Sequence, residues 1–181
     1  KERKEILDEY SSLFKKIFNL KGRIYERKGH YVLDINSKYL VDWFHKNIPE
    51  LFKKTGGEEI PDFVFKTSKK QISYFLKGIY DAEGSVASNA KQVCIVMTNE
   101  MIIKNLQFFL LKFGILATFS RVQRKEWSDS FHLRINDKKS LERFEKYIGF
   151  TSQEKQRKLD ELINKSKNHN YRYSSFPYNK K

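Results

Sequence analysis

Cysteine, proline and glycine are scarce in this chain, and each scarcity removes a class of structure. The single Cys94 among 181 residues cannot close an internal disulfide or build a cysteine zinc cluster. It lies in an alternating apolar run and reads as small core filler. Three prolines and eight glycines exclude collagen-like and low-complexity chains, and sustained heptads are missing. No stretch reaches about eighteen uncharged apolar residues, the length a membrane span needs. The charged start Lys1-Glu2-Arg3-Lys4-Glu5 is followed by no apolar signal-peptide core. The expectation is a soluble protein in a reducing, intracellular compartment, whether cytoplasm, nucleoid or organelle matrix.

What is present is aromatic and basic. With 39% hydrophobic and 15% aromatic residues the chain has ample material for a core without staples. Lys and Arg number 36 against 22 Asp and Glu, a net charge of +14. Such an excess points to a polyanionic partner, because each cation placed on a phosphate releases condensed counterions. Nucleic acid is the first hypothesis; a thermophile-type surface and a basic membrane-surface protein are the alternatives.

Periodicity reveals an internal repeat. Glu5 to Phe18 has helical spacing of Ile6, Tyr10, Leu13, Phe14 and Ile17, and Gly22 follows. Arg23-Ile24-Tyr25 and Tyr31 to Ile35 flank Arg27-Lys28-Gly29-His30 as a hairpin, and Ser37 caps a second helix through Trp43 and Phe44. The same order returns later. Asn99 caps Glu100 to Phe113, Leu116 to Val122 and Phe131 to Ile135 form a hairpin, and Asp137 caps Lys138 to Tyr147. Glu5 and Glu100, Phe18 and Phe113, Leu33 and Leu133, Ile35 and Ile135, Asn36 and Asn136, Lys38 and Lys138 correspond at offsets of 95 to 100. The first copy lacks an opening helix and a first hairpin.

The helix Lys69 to Glu83 opens with the capping box Ser68-Lys69-Lys70-Gln71. Ile72, Phe75, Leu76, Ile79 and Glu83 fall on one stripe, Gly78 and Ala82 make a small-residue patch, and Gly84 stands as a C′ glycine. A strand Gln92 to Thr98 follows, paired with a shorter one near Val86. Asp81 and Glu83 occupy the last helical turn, where the dipole disfavours carboxylates by ~0.3–1 kcal/mol. A divalent cation bound there would compensate.

At this point Leu76-Lys77-Gly78-Ile79-Tyr80-Asp81-Ala82-Glu83-Gly84 resembles the LAGLIDADG motif of homing endonucleases, with Glu at the eighth position. The resemblance covers most of residues 4 to 165 and implies an α/β (α+β) fold of αββαββα repeats with antiparallel saddle sheets, of the double-motif, archaeal or intein-like type. It divides the chain into the latter part of a first repeat (1–67), a complete second repeat (68–151), and a C-terminal helix and tail (152–181). It implies Mg²⁺ or another divalent cation held by Glu83, with Asp81 usually structural, and packing of two motif helices through Gly78 and Ala82. It also implies a water-supporting lysine: Lys155 in the second repeat, and Lys54 or Lys53 in the first.

One departure is plain. Before residue 76 no glycine is followed by acids at the spacing of Gly78, Asp81 and Glu83, so the first motif acid is missing from the chain. A fragment, a degenerate non-cutting copy and completion by dimerisation are the three readings, with the fragment expected.

Strand alternation places candidate DNA contacts. In Phe131 to Asn136, His132, Arg134 and Asn136 lie opposite the apolar side; Arg23, Tyr25 and Arg27 share a face, and Gln92 shares one with Cys94. Arg, Asn, Gln and His pair with base edges and lysines suit phosphates. No histidine pair has metal-ligand spacing and no phosphate-binding glycine loop occurs. The expected function is site-specific cleavage of double-stranded DNA, completed by a second chain or N-terminal segment bearing the other motif helix. The rivals are an RNA maturase or DNA-binding regulator of the same fold, and a basic structural protein. Residues 168–181, polar and Tyr-rich with Arg172 and Pro177, carry no legible chemistry.

Overall fold

The computed structural model describes residues 2–53, 58–123 and 128–166. Lys54, one of the lysines proposed for catalysis, and the tail with Arg172 lie outside them. The elements run α1 (Glu2–Phe18), β1 (Arg23–Arg27), β2 (His30–Asp34), α2 (Lys38–Asn47), a 3₁₀ turn (Pro49–Phe52), α3 (Asp62–Phe65), α4 (Lys69–Glu83), β3 (Gly84–Ala87), β4 (Gln92–Met97), α5 (Glu100–Leu111), β5 (Thr118–Val122), β6 (Ser130–Ile135), α6 (Lys138–Tyr147) and α7 (Gln153–Lys165). The result is a mixed α/β protein with antiparallel sheets.

Local chemistry sets the boundaries. Ser37, Ser68, Asn99, Asp137 and Ser152 each accept a backbone N–H of the first turn, and Ser68 with Gln71 forms the full capping box. In the β1–β2 hairpin Lys28 and Gly29 have φ of 50° and 77°, the pair of left-handed residues that a two-residue turn needs to follow strand twist.

The repeat shows in the hydrogen bonding as well as in the residues. Arg23 pairs with Asp34 and Tyr25 with Val32 as Thr118 pairs with Arg134 and Ser120 with His132. The Ile48 N–H donates to the Phe44 carbonyl at 2.8 Å, and the Ile148 N–H to that of Phe144 at 2.9 Å. The two units differ in what they bury. β3-β4-β6-β5 form a four-stranded sheet whose Val93, Ile95, Leu133 and Ile135 are covered by helices, whereas β1-β2 form a sheet of two. The buried cluster runs from Ile60 to Ile163, and Leu40 is the one buried hydrophobic between residues 4 and 53. Ile17, Tyr39, Trp43 and Leu51 of that first unit are exposed.

Two details of α4 depart from the sequence expectation. Its buried stripe is Ile72, Leu76 and Tyr80, with Phe75 and Ile79 partly buried; Glu83 is exposed, so the stripe does not reach it. Gly84 is extended, with φ −77° and ψ 151°, so it is no left-handed C′ glycine. Glycine is required there by space, since a Cβ would lie 2.5 Å from the Tyr80 carbonyl oxygen and 2.8 Å from its ring.

The Tyr80 hydroxyl is fully buried with no hydrogen-bond partner among the described residues, and burial pushes its pKa well above the usual phenol value. Tyr80→Phe should therefore raise the unfolding free energy by ~1 kcal/mol or more, since an unmade buried hydrogen bond costs about that. Gly84→Ala should lower it by ~1–3 kcal/mol through overpacking. Urea unfolding midpoints of both variants check the pair.

Candidate metal-bearing helix end and nucleic-acid interface

The end of α4 is built by the last fifth of the chain. Asp81 is buried, 4% exposed, and its Oδ1 accepts the Thr151 N–H at 2.8 Å. Lys155, in the first turn of α7, donates from Nζ to the Asp81 carbonyl at 2.7 Å and to the Tyr80 carbonyl at 3.4 Å, and its ammonium lies 5.7 Å from the Phe150 ring. A cation thus sits on the carbonyl end of the helix dipole, where ~0.3–1 kcal/mol is typical and more if partly buried. This corrects the argument that a bound metal is needed to offset acids in the last turn, because Lys155 already supplies the positive charge. The pair Asp81 and Lys155 fastens α4 to the 149–152 loop and α7.

Glu83 points elsewhere. It is the last residue of α4, exposed, and makes no ion pair with any described residue. Among the described residues no group of three or more His, Cys, Asp or Glu side chains converges on one point. The donor set therefore fits a hard cation in one mode only: a single free carboxylate, with the remaining ligands from waters and a phosphate, as magnesium accepts. Glu83 qualifies for that role. Asp81, buried and already accepting a backbone N–H, is placed as a tether.

Further back along α4, Gly78 lies near the Tyr10 hydroxyl of α1. A Cβ at Gly78 would stand 3.9 Å from the Tyr10 hydroxyl, ordinary contact, and Ala82 is exposed. The phenol of Tyr10 has its pKa raised by burial first, then by the neighbouring Asp81 and Glu9 carboxylates. Of the first-repeat lysines, Lys53 pairs with Glu59 at 2.8 Å on the surface.

Strand register brings the base-reading candidates of the second unit together. Cys94 lies opposite Arg134 and Val96 opposite His132 on β4, while Thr118 and Ser120 flank the same two residues on β5. Gln92 continues this face along β4, and Asn136 is exposed just past the end of β6. Ser120 and Ser130, not among the sequence candidates, join the cluster by hydrogen bonding; their alternation with Phe119 and Phe131 is the signal that marks their face. Arg23, Tyr25 and Arg27 share one face of the β1–β2 hairpin, with the Arg23 guanidinium 5.4 Å from the Tyr25 ring.

An exposed carboxylate at the end of the motif helix and antiparallel sheets flanked by helices fit a LAGLIDADG-type fold. Residues 70–149 match the family model described as LAGLIDADG-like domain. Residues 70–149 thus form a LAGLIDADG-like domain, and the chain has the fold of LAGLIDADG homing endonucleases. Mesophilic variants of the homing endonuclease I-DmoI superpose with a TM-score of 0.57 at 17% identity, over 79% of this chain and 73% of theirs. I-DmoI in complex with DNA and Mn gives 0.55 at 19%, over 76% and 68%. In sequence, glutamine–fructose-6-phosphate aminotransferase (isomerizing) of Methanocaldococcus jannaschii is 53% identical over 99% of this chain. The probable translation initiation factor IF-2 of Thermococcus kodakarensis is 30% identical over 69%. The chain spans 17% of the length of the first and 10% of the second.

Asp81→Ala should leave the Thr151 N–H without its acceptor and cost ~1–3 kcal/mol. Glu83→Ala, on an exposed carboxylate, should stay within ~0.5 kcal/mol of the parent. Equal losses in chemical unfolding would mean that Glu83 is structural.

Proposed function

We propose that this chain is the greater part of a site-specific double-stranded DNA endonuclease, carried in frame within unrelated host proteins. The observation that carries the reading is the pairing of relatives. An aminotransferase and a translation factor share no chemistry, yet each holds a segment like this one within a small fraction of its length. A segment common to both serves neither activity, and its LAGLIDADG-like domain supports mobility by DNA cleavage instead. Because the segment lies inside translated proteins, insertion in the polypeptide is favoured over a free-standing intron product.

In this reading the +14 charge and the two polar sheet faces bind the duplex, lysines on phosphates and Arg23, Tyr25, Arg27, Gln92, His132, Arg134 and Asn136 toward bases. Glu83 holds the divalent cation, which when bound offsets charge on the scissile phosphate and favours ionisation of water. Lys155 holds the helix end through the Tyr80 and Asp81 carbonyls; its support of the attacking water rests on the family resemblance. Lys54 would serve the same purpose in the first repeat.

The site is half of what double-strand cleavage needs, since two scissile phosphates call for two acids and one motif is present. Gly78 points the same way. Within α4 a glycine costs ~1 kcal/mol relative to alanine, yet the space above it would admit a Cβ. Its value lies in letting another helix backbone approach, on a second chain or on a segment bearing its own motif, once the Tyr10 hydroxyl of α1 gives way. The exposed apolar residues of the first unit support the same completion.

Double-stranded DNA should bind with log K falling against log salt at ~0.9 per phosphate neutralised; a flat titration would refute the reading. In an assembly supplied with a second motif helix, Glu83→Gln should abolish Mg²⁺-dependent cleavage and leave DNA affinity within about threefold. Parent-like cleavage by that variant would shift the site elsewhere, and no cleavage by the parent assembly would favour a non-cutting binder. Gly78→Ala should stabilise this chain alone by up to ~1 kcal/mol while weakening its assembly with the second helix, measured by unfolding and by sedimentation.

A further inference from the structure

Arg134 lies half-buried on the open face of the four-stranded sheet, in a polar relay that runs across two strands. Its Nη1 donates to Ser120 Oγ at 2.5 Å, and its Nη2 is 2.8 Å from His132 Nδ1. The other imidazole nitrogen, Nε2, is 3.1 Å from the buried hydroxyl of Ser130. A guanidinium has no acceptor, so Nδ1 must offer its lone pair; the ring is then neutral, with the hydrogen on Nε2 directed to Ser130.

Two features make this relay more than a local tie. Arginine has five N–H donors, and two are used here, leaving three with no acceptor among the described residues. No carboxylate faces Arg134 from β4 or β5: its cross-strand neighbours there are Cys94 and Thr118, and Val96 and Ser120 flank His132. The charge is therefore held in place by neutral groups and left for an external anion or acceptor pair.

Resting on the DNA-binding reading above, we propose that Arg134 reads one guanine in the major groove of the target, and that His132 is the positioning residue that aims its guanidinium. Guanine presents two acceptors, O6 and N7, side by side, matching the free donor fork; adenine replaces one with a donor, thymine offers one acceptor and cytosine a donor. The relay belongs to the second unit alone. At the matching register of the first unit Asp34 stands where Arg134 does and Val32 where His132 does, so the readout is asymmetric between half-sites. His132 can aim Arg134 only while neutral, because a proton on Nδ1 would face the guanidinium. Cys94, its thiol pushed up by burial, also faces the pair from β4.

The test is selection of bound sites from a randomised duplex library with the 181-residue chain, followed by competition titrations at neutral pH and near pH 5, below the ~6.5 of a free imidazole. One position should be enriched in guanine, and replacing that base should weaken the parent about tenfold or more at neutral pH. Arg134→Ala and Arg134→Lys should lose the preference at that position only, with others retained. His132→Ala should lose most of it, His132→Asn, whose amide oxygen can still accept from Arg134, should restore it, and acidification should erase it in the parent but not in His132→Asn. Salt-dependent binding with no enriched guanine, or a preference untouched by Arg134→Ala, overturns the assignment to Arg134. A preference that survives His132→Ala, or that falls equally with acid in the parent and in His132→Asn, overturns the role of His132. Should His132→Ala fail to fold by circular dichroism, the acid response of the parent against His132→Asn decides the matter. Loss of all duplex binding by the parent is a different result, and refutes the DNA-binding reading itself.

Discussion

The fastening of the α4 terminus governs what this molecule can do. A helix ends in carbonyls that carry partial negative charge, and this one also ends in two carboxylates, so left alone it would fray. Lys155 places an ammonium on the Tyr80 and Asp81 carbonyls while the Thr151 N–H engages the Asp81 carboxylate. Both partners lie 70 or more residues downstream. Tyr80 and Leu76, buried in the same helix, anchor it from beneath, and Gly84 allows β3 to leave immediately without displacing the Tyr80 backbone. Glu83 is thereby presented at the surface from a rigid support.

The same division of labour separates the two halves of the chain. Residues 60–163 bury a full cluster around a four-stranded sheet, while the unit before them has the matching hairpin and helices but almost no buried apolar surface. The hairpins agree in register and the caps agree in hydrogen bonding, so the difference does not lie in local folding. It lies in the helix and hairpin that the second unit has and the first lacks. An apolar face without its cover leaves ~25 cal/mol for each Å² unclaimed, which is the physical basis for expecting a second motif helix.

Charge is distributed to match. The sheet face of the second unit carries an arginine held by serine and histidine with no facing carboxylate, whereas the first unit places Asp34 at the corresponding register. Like-folded halves therefore present different surfaces. Non-specific attraction follows from the total charge, but discrimination has to come from a few fixed donors.

Much of this was legible in the residues. The capping signals at Ser37, Ser68, Asn99 and Asp137 mark helix starts because a side-chain oxygen must satisfy N–H groups that the helix cannot. Alternation in Phe131 to Asn136 assigns faces because successive side chains on a strand point opposite ways. The nine residues from Leu76 to Gly84 named the family. Tertiary structure decided the rest. Local pattern cannot tell Asp81 from Glu83, two residues apart on one turn; the 149–155 segment covers the first, and among the described residues no ion pair holds the second. Nor can it show that Gly84 serves a steric need, or that the offset for acids at a helix end comes from Lys155, because both depend on chain segments brought together across long sequence separations. The relay of Ser120, Arg134, His132 and Ser130 is of the same kind: alternation puts each residue on the right face, and strand pairing alone sets the distances that join them.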